Sequence, residues 1–227
     1  MKLAGVMFLA ALTSRSQVYI QAMAAAGMCP DQTLVIGAKA KGLPGQVGDP
    51  PDSGKRSTQL FYPRLTESVF DTLEKHGMPY TQIEVANIND TVVEKAMIRC
   101  KPELVIYSGY GGQIVGKGLL DLGVRFLHIH SGWLPEYRGS TTLYYSILNE
   151  GKCGASAIIL SSQIDKGPVI ARKKYAPPPD GVDLDHVYDG VIRADLLVEV
   201  LKNYVRQGEI RTLPIGESKG NDYYVIH

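Results

Sequence analysis

The chain has 227 residues, 44% of them hydrophobic, enough for a sizeable core. Its 24 Lys and Arg against 23 Asp and Glu leave a net charge of +1, which excludes bulk electrostatic attraction to nucleic acid or an anionic membrane. Cys29, Cys100 and Cys153 are widely spaced and form no Cys-x-x-Cys, so reduced thiols in a cytoplasmic protein are expected rather than a disulfide frame or zinc knuckle.

Lys2 ahead of the apolar run Leu3–Leu12, with Ala24-Ala25-Ala26 beyond, has the outline of a secretory leader. Arg15 and Gln17 interrupt it, and the run has the length of a buried strand followed by a helix. No stretch reaches the ~18 apolar residues of a membrane span. Leu3–Leu9 therefore reads as a first strand and Gln17–Ala26 as a helix closed by Gly27. Leu34–Ile36 is a short second strand. Gly42–Ser57 carries Gly42, Gly45, Gly48, Gly54, Pro44, Pro50 and Pro51, the composition of a long loop of the kind used as a lid or binding segment.

Leu65–His76 reads as a helix and Thr81–Val85 as a strand, after which Asn89 or Asp90 caps a helix to Cys100. Leu104–Tyr107 and Phe126–Ile129 read as central strands, Thr141–Asn149 as a helix, and Ala155–Leu160 and Val169–Lys174 as later strands. Asp183–Val205 is a long amphipathic helix with Leu184, Val187, Val191, Leu197 and Leu201 near helical spacing. This alternation predicts an α/β fold: a Rossmann-like, mostly parallel sheet with helices on both faces and ligands at the strand ends. Residues 1–227 read as a single domain. The tail Asn221–His227 stops on a strand-like segment, which raises a truncated C-terminus as an expectation.

Four segments carry residues suited to chemistry. Thr13–Gln17, between the first strand and helix, joins backbone N–H groups to Ser14 and Arg15, a plausible anion site, with simple N-capping by Ser14 or Ser16 as the equal alternative. It is neither a Gly-x-Gly-x-x-Gly turn nor a P-loop. Tyr107–Ile114 contains Gly109, Gly111 and Gly112, which let backbone edges approach a flat ligand, although taken alone a plain flexible turn is the favoured reading. His128 and His130 stand two residues apart on one strand face, and Asp165 lies in a turn closed by Gly167 and Pro168. Two imidazoles and a carboxylate suit proton transfer around a carbonyl or metal binding. Finally, Leu134–Gly139 places Arg138 just beyond the histidines, where it holds an anion or is simply solvated.

Taken in order, His130, Leu134-Pro135-Glu136-Tyr137-Arg138-Gly139, Asn149-Glu150-Gly151, Gly154-Ala155-Ser156 and Asp165-Lys166-Gly167 resemble the formyltransferase family that uses 10-formyltetrahydrofolate. Its branches act on glycinamide ribonucleotide, methionyl-tRNA and amino sugars. The specific match covers about Leu104 to Ala171. The resemblance implies His130 at the developing oxyanion or proton, Asp165 holding its imidazole, and Tyr110, Gly111, Gly112, Gln113 and Ile114 beside the pterin. One position departs from the family: His128 stands where its members have Asn, the residue that donates an N–H to the formyl oxygen. Loss of one well-placed oxyanion donor costs ~10²–10³ in rate, so the exchange marks either a retuned site or a lost activity.

The resemblance implies an N-formyltransferase moving a formyl group from 10-formyltetrahydrofolate, its cosubstrate, to a small primary amine. Ser14, Arg15 and Arg138 would hold the acceptor's anionic part. The tRNA enzymes of the family carry an additional C-terminal domain, for which this chain has no room, so a phosphate- or nucleotide-bearing amino sugar is expected ahead of a purine precursor. No nucleic acid, membrane or metal is implied as partner, and a homodimer is compatible with the pattern. Three alternatives stay open: a metal-dependent hydrolase using His128, His130 and Asp165; a non-catalytic folate- or nucleotide-binding module; and a formyl-folate hydrolase.

Overall fold

A computed structural model describes residues 1–37, 60–214 and 220–225. The expected loop at Gly42–Ser57 lies outside the described residues.

The chain runs β1 (Lys2–Ala11), α1 (Ser14–Ala25), β2 (Cys29–Ile36), α2 (Val69–Lys75), β3 (Tyr80–Ile83), α3 (Thr91–Cys100), β4 (Leu104–Ser108), α4 (Lys117–Leu120), β5 (Arg125–His130), β6 (Tyr137–Gly139), α5 (Thr142–Glu150), β7 (Cys153–Ile159), β8 (Val169–Tyr175), α6 (Asp189–Gln207) and β9 (Asn221–Tyr223). Seven strands form one sheet in the order β3-β2-β1-β4-β5-β7-β8. The pairings from β3 through β5 are parallel, and β7 and β8 are added antiparallel. The result is a mostly parallel, Rossmann-like sheet, as expected.

Alternation along the strands divides the core. Val6, Phe8 and Ala10 of β1, with Leu104 and Ile106 of β4 and Leu127 and Ile129 of β5, meet α1 and α6. Met7, Leu9 and Ala11, with Val105, Tyr107 and Phe126, meet α3 and α4 on the other face. A strand buried on both faces needs apolar residues at every position, which is why β1 reads as an unbroken hydrophobic run. Two-fold periodicity then sends His128 and His130 to the face of Phe126 and Tyr107. The Tyr107 and His128 ring centroids are 6.0 Å apart.

Several boundaries differ from expectation for identifiable reasons. β2 begins at Cys29, five residues early, because backbone pairing with β1 recruits Pro30, Asp31 and Gln32 despite their low strand propensity. α2 starts only at Val69, where Ser68 and Asp71 form a reciprocal capping box. The preceding Arg64, Leu65 and Glu67 carbonyls accept from Gln17 and Gln21. The C-terminal helix opens as a π-helical turn over Leu184–Tyr188 and becomes α-helical at Asp189. Thr13 caps α1 by accepting from Ser16 N–H, rather than Ser14 or Ser16 acting as the cap. α4 and β6 were not foreseen as elements, while the strand-like tail forms β9 and pairs with β6.

β1 is the switch point of the sheet: β2 lies on one side and β4 on the other. The loops after β1 and β4 therefore diverge and leave a crevice at the carboxyl strand ends. α6 carries much of the packing beneath this crevice, and its Leu197 is wholly buried. Leu197→Ala should lower unfolding free energy by ~2–5 kcal/mol, read as a lower urea midpoint at an unchanged slope.

Candidate active site

The crevice continues between β4 and β5 as a small cleft of about 120 Å³, open to solvent at its mouth. Tyr107, Gln113, Ile114 and Val115 form one wall; Leu160, Ser161, Gln163, Ile164 and Asp165 form the other, with His128 at the base. Ile114 and Ile164 are each more than half exposed at its mouth.

His130 is buried at the end of β5. Its Nε2 lies 2.7 Å from the Tyr137 carbonyl oxygen. A carbonyl only accepts, so this nitrogen carries the proton. Nδ1 then faces the Asp165 carboxylate at 3.4 Å, wider than a hydrogen bond. Two acceptors facing one ring favour a second proton, held between Nδ1 and Oδ1. Burial opposes it and pushes His130 below its usual pKa, while Asp165 and the Tyr137 carbonyl pull the other way. Asp165 is fixed from the opposite side, its Oδ2 accepting from Gly139 N–H at 2.9 Å. Its φ of 52° is left-handed, a conformation Asp tolerates better than most residues and one that accumulates at functional sites.

The turn after β5 is tightly held. Ser156 Oγ donates to Gly132 O at 2.6 Å and accepts from Leu134 N at 3.0 Å. A Cβ at Gly132 would stand 2.6 Å from Tyr137 O and 2.7 Å from His130 Nε2, so glycine is required there. From beneath, Arg193 of α6 donates to Ile129 O at 3.1 Å and Ser131 Oγ at 2.6 Å, and pairs with Asp189 at 2.9 Å. Neither Ser156 nor Arg193 was singled out from sequence for these contacts. The signal for Arg193 was an arginine amid Val191, Ile192, Ala194 and Leu197, with Asp189 one turn earlier.

His128 has a different environment. Burial, then the positive charges of Arg193 and Arg15 and the neighbouring His130, hold its pKa well below 6.5, so it is neutral near pH 7. Its Nδ1 is buried with no hydrogen-bond partner among the described residues. Among the described residues no three His, Cys, Asp or Glu side chains are arranged to hold a metal ion.

The remaining expected site residues are dispersed. Gln113 and Ile114 line the cleft, but Gln113 spends its side-chain amide on Ala86 O and Ile88 N. Tyr110 donates to Ile36 O across the switch point, and Gly111 and Gly112 are exposed beyond the cleft walls. Arg15 spans the switch point instead of facing outward, donating to Ser108 Oγ at 3.3 Å and to the Gly109 carbonyl. Ser14 occupies the first turn of α1. Arg138 is turned onto the C-terminal segment, pairing with Asp222 at 2.7 Å and donating to Gly220 O at 2.5 Å.

Residues 65–191 match the family model described as formyl transferase, and the chain belongs to that family. Methionyl-tRNA formyltransferase of Bacillus velezensis is 30% identical over 173 residues, covering 74% of this chain and 52% of that protein. The chain thus spans about half the length of the curated relatives it matches. Among solved structures, phosphoribosylglycinamide formyltransferase of Streptococcus pneumoniae superposes with a TM-score of 0.60 at 18% identity, over 88% of this chain and 98% of that one. A sugar N-formyltransferase from a Shewanella species gives 0.56 at 17%, over 96% and 76%. These likenesses establish the shared fold.

The low His128 pKa has a measurable consequence. Below pH 6.5 the unfolded chain protonates this histidine and the folded chain does not, so stability present above that pH is lost as pH falls. His128→Asn removes the difference. Between pH 7.5 and 5, thermal melts should show a smaller loss of Tm in His128→Asn than in wild type.

Proposed function

We propose that the protein transfers a formyl group from 10-formyltetrahydrofolate to a small primary amine. The observation that carries this reading is the buried His130–Asp165 pair at the edge of an open cleft. The cleft suits a flat donor: Val115, Leu160 and Ile164 give apolar walls, and the half-buried His128 ring adds a polar group to the lining. When bound, the donor supplies an activated formyl carbon for attack by the amine.

The side chains divide that work. Neutral His128 offers a ring nitrogen to the formyl oxygen, standing in for the amide of the family's Asn without bringing a charge. His130 and Asp165 accept the proton that the amine loses as its nitrogen bonds to carbon, because a proton between Nδ1 and Oδ1 relieves their opposed lone pairs. The proton returns to the donor nitrogen as its bond to the formyl carbon breaks. Burial keeps water from competing as the nucleophile.

For the acceptor, we favour an amino sugar carrying phosphate or a nucleotide. The likeness to a sugar N-formyltransferase supports this choice, and a net charge of +1 offers little for a polynucleotide. Arg15 and Ser14, near the switch point, would lie on the acceptor side. The test measures tetrahydrofolate released on amine addition, alongside formylated product by mass spectrometry. His130→Ala should lower kcat by ~10²–10⁴-fold. Undiminished transfer would remove the proposed centre, and tetrahydrofolate release without amine would instead indicate hydrolysis.

A further inference from the structure

The C-terminal segment 220–225 does more than cover a surface. It runs parallel to β6 in the register Tyr137↔Asn221, Arg138↔Asp222 and Gly139↔Tyr223. Asn221 N donates to Glu136 O at 3.1 Å, and Ser140 N donates to Tyr223 O at 3.0 Å. These bonds use the edge of β6 formed by residues 136 and 140. The opposite edge presents the Tyr137 carbonyl to His130 and the Gly139 N–H to Asp165. Backbone groups of residues 137 and 139 point to the same side of a strand. β6 is thus a two-sided ribbon, with the tail along one edge and the buried pair along the other.

The attachment is specific to this tail. Arg138 holds Asp222 and the Gly220 carbonyl. The Tyr223 ring stacks on Tyr137 at 5.3 Å between centroids and meets Tyr145 at 4.5 Å. Thr141 Oγ1 donates to Tyr224 O at 3.2 Å. A Cβ on Gly139 would strike the Tyr223 carbonyl, and one on Gly220 would strike the Pro135 carbonyl, so both glycines exist where the strands close on one another. β6 is only three residues long, and among the described residues its one strand neighbour is β9. A three-residue strand does not hold its geometry alone, so its two catalytic-side groups depend on the tail.

The geometry points to Asp222 and Tyr223 as positioning residues: through β6 they set the Tyr137 carbonyl and Gly139 N–H that orient His130 and Asp165. As a role in catalysis this rests on the formyl-transfer reading above; as a statement about the imidazole it does not. The tail also occupies Arg138, so that residue serves the strap instead of reaching out to an anionic acceptor.

The experiment compares wild type, Asp222→Ala, Tyr223→Ala and Asp222→Glu. One readout is the His130 ring N–H in long-range proton–nitrogen spectra, assigned by its absence in His130→Ala. The other is steady-state kinetics with formyl donor and amine. Asp222 is largely exposed, so Asp222→Ala is expected to fold, as a melt would verify. Both alanine variants should show faster solvent exchange of the Nε2 proton. Their kcat should fall by about 10²-fold at unchanged donor KM, as expected for a displacement near 1 Å. Asp222→Glu should restore both. A lowered Tm with the His130 signal and kcat unchanged would overturn the proposal and leave the tail a structural cover. A wild type that transfers no formyl group would refute the functional reading, while the exchange data would still decide whether the strap positions His130.

Discussion

The arrangement depends on one short stretch of backbone. Tyr137–Gly139 presents a carbonyl to His130 and an N–H to Asp165 from the same edge, which holds an imidazole and a carboxylate at 3.4 Å inside the protein. Neither side chain would keep this orientation without those bonds, since buried polar groups are costly when unpaired. The surrounding sequence can be understood as support for this edge. Ser156 closes the preceding turn, Gly132 leaves room for the ring, Arg193 anchors β5 from below, and the C-terminal strand lies along the other edge.

The electrostatics at His128 follow first from burial of its ring and then from two nearby arginines. Arg193 is neutralised by Asp189, and Arg15 is turned onto the carbonyl end of β4. Together with burial they oppose protonation of His128, so an imidazole here behaves as a neutral polar group. His128 therefore adds a ring nitrogen to the cleft without adding a charge near pH 7. His130 differs because Asp165 and the Tyr137 carbonyl partly offset the same burial. Two histidines on one strand face are thereby given different proton affinities, the condition under which one can hold an oxygen while the other moves a proton.

Much of this was legible in the residues. Unbroken apolar runs mark strands buried on both faces, and the spacing of His128 and His130 fixes their common side once Phe126–Ile129 is recognised as a strand. The turn bearing Asp165 could be placed near them by its position after the next strand. Less legible were contacts made by backbone: no residue type announces that Tyr137 O and Gly139 N–H are the partners of the pair. Arg138 illustrates the limit. Its local sequence suits anion binding, but the side chain is engaged by Asp222, 84 residues away, a long-range pairing that no local pattern encodes. The glycines after β4 mislead in a similar way, since the cleft wall is built from Gln113–Val115 beyond them.

The central claim, that the cleft between β4 and the 160–165 turn receives a folate-type formyl donor, is tested most directly by calorimetry. A stable 10-formyltetrahydrofolate analogue would be titrated into metal-free protein and into Ile164→Asp, which places a carboxylate at the cleft mouth. The account predicts saturable binding to one site in wild type, weakened by about tenfold or more in the variant, since covering an unpaired charge costs over ~1.4 kcal/mol. Absence of binding by folded wild-type protein, or equal affinity in both proteins, would contradict it.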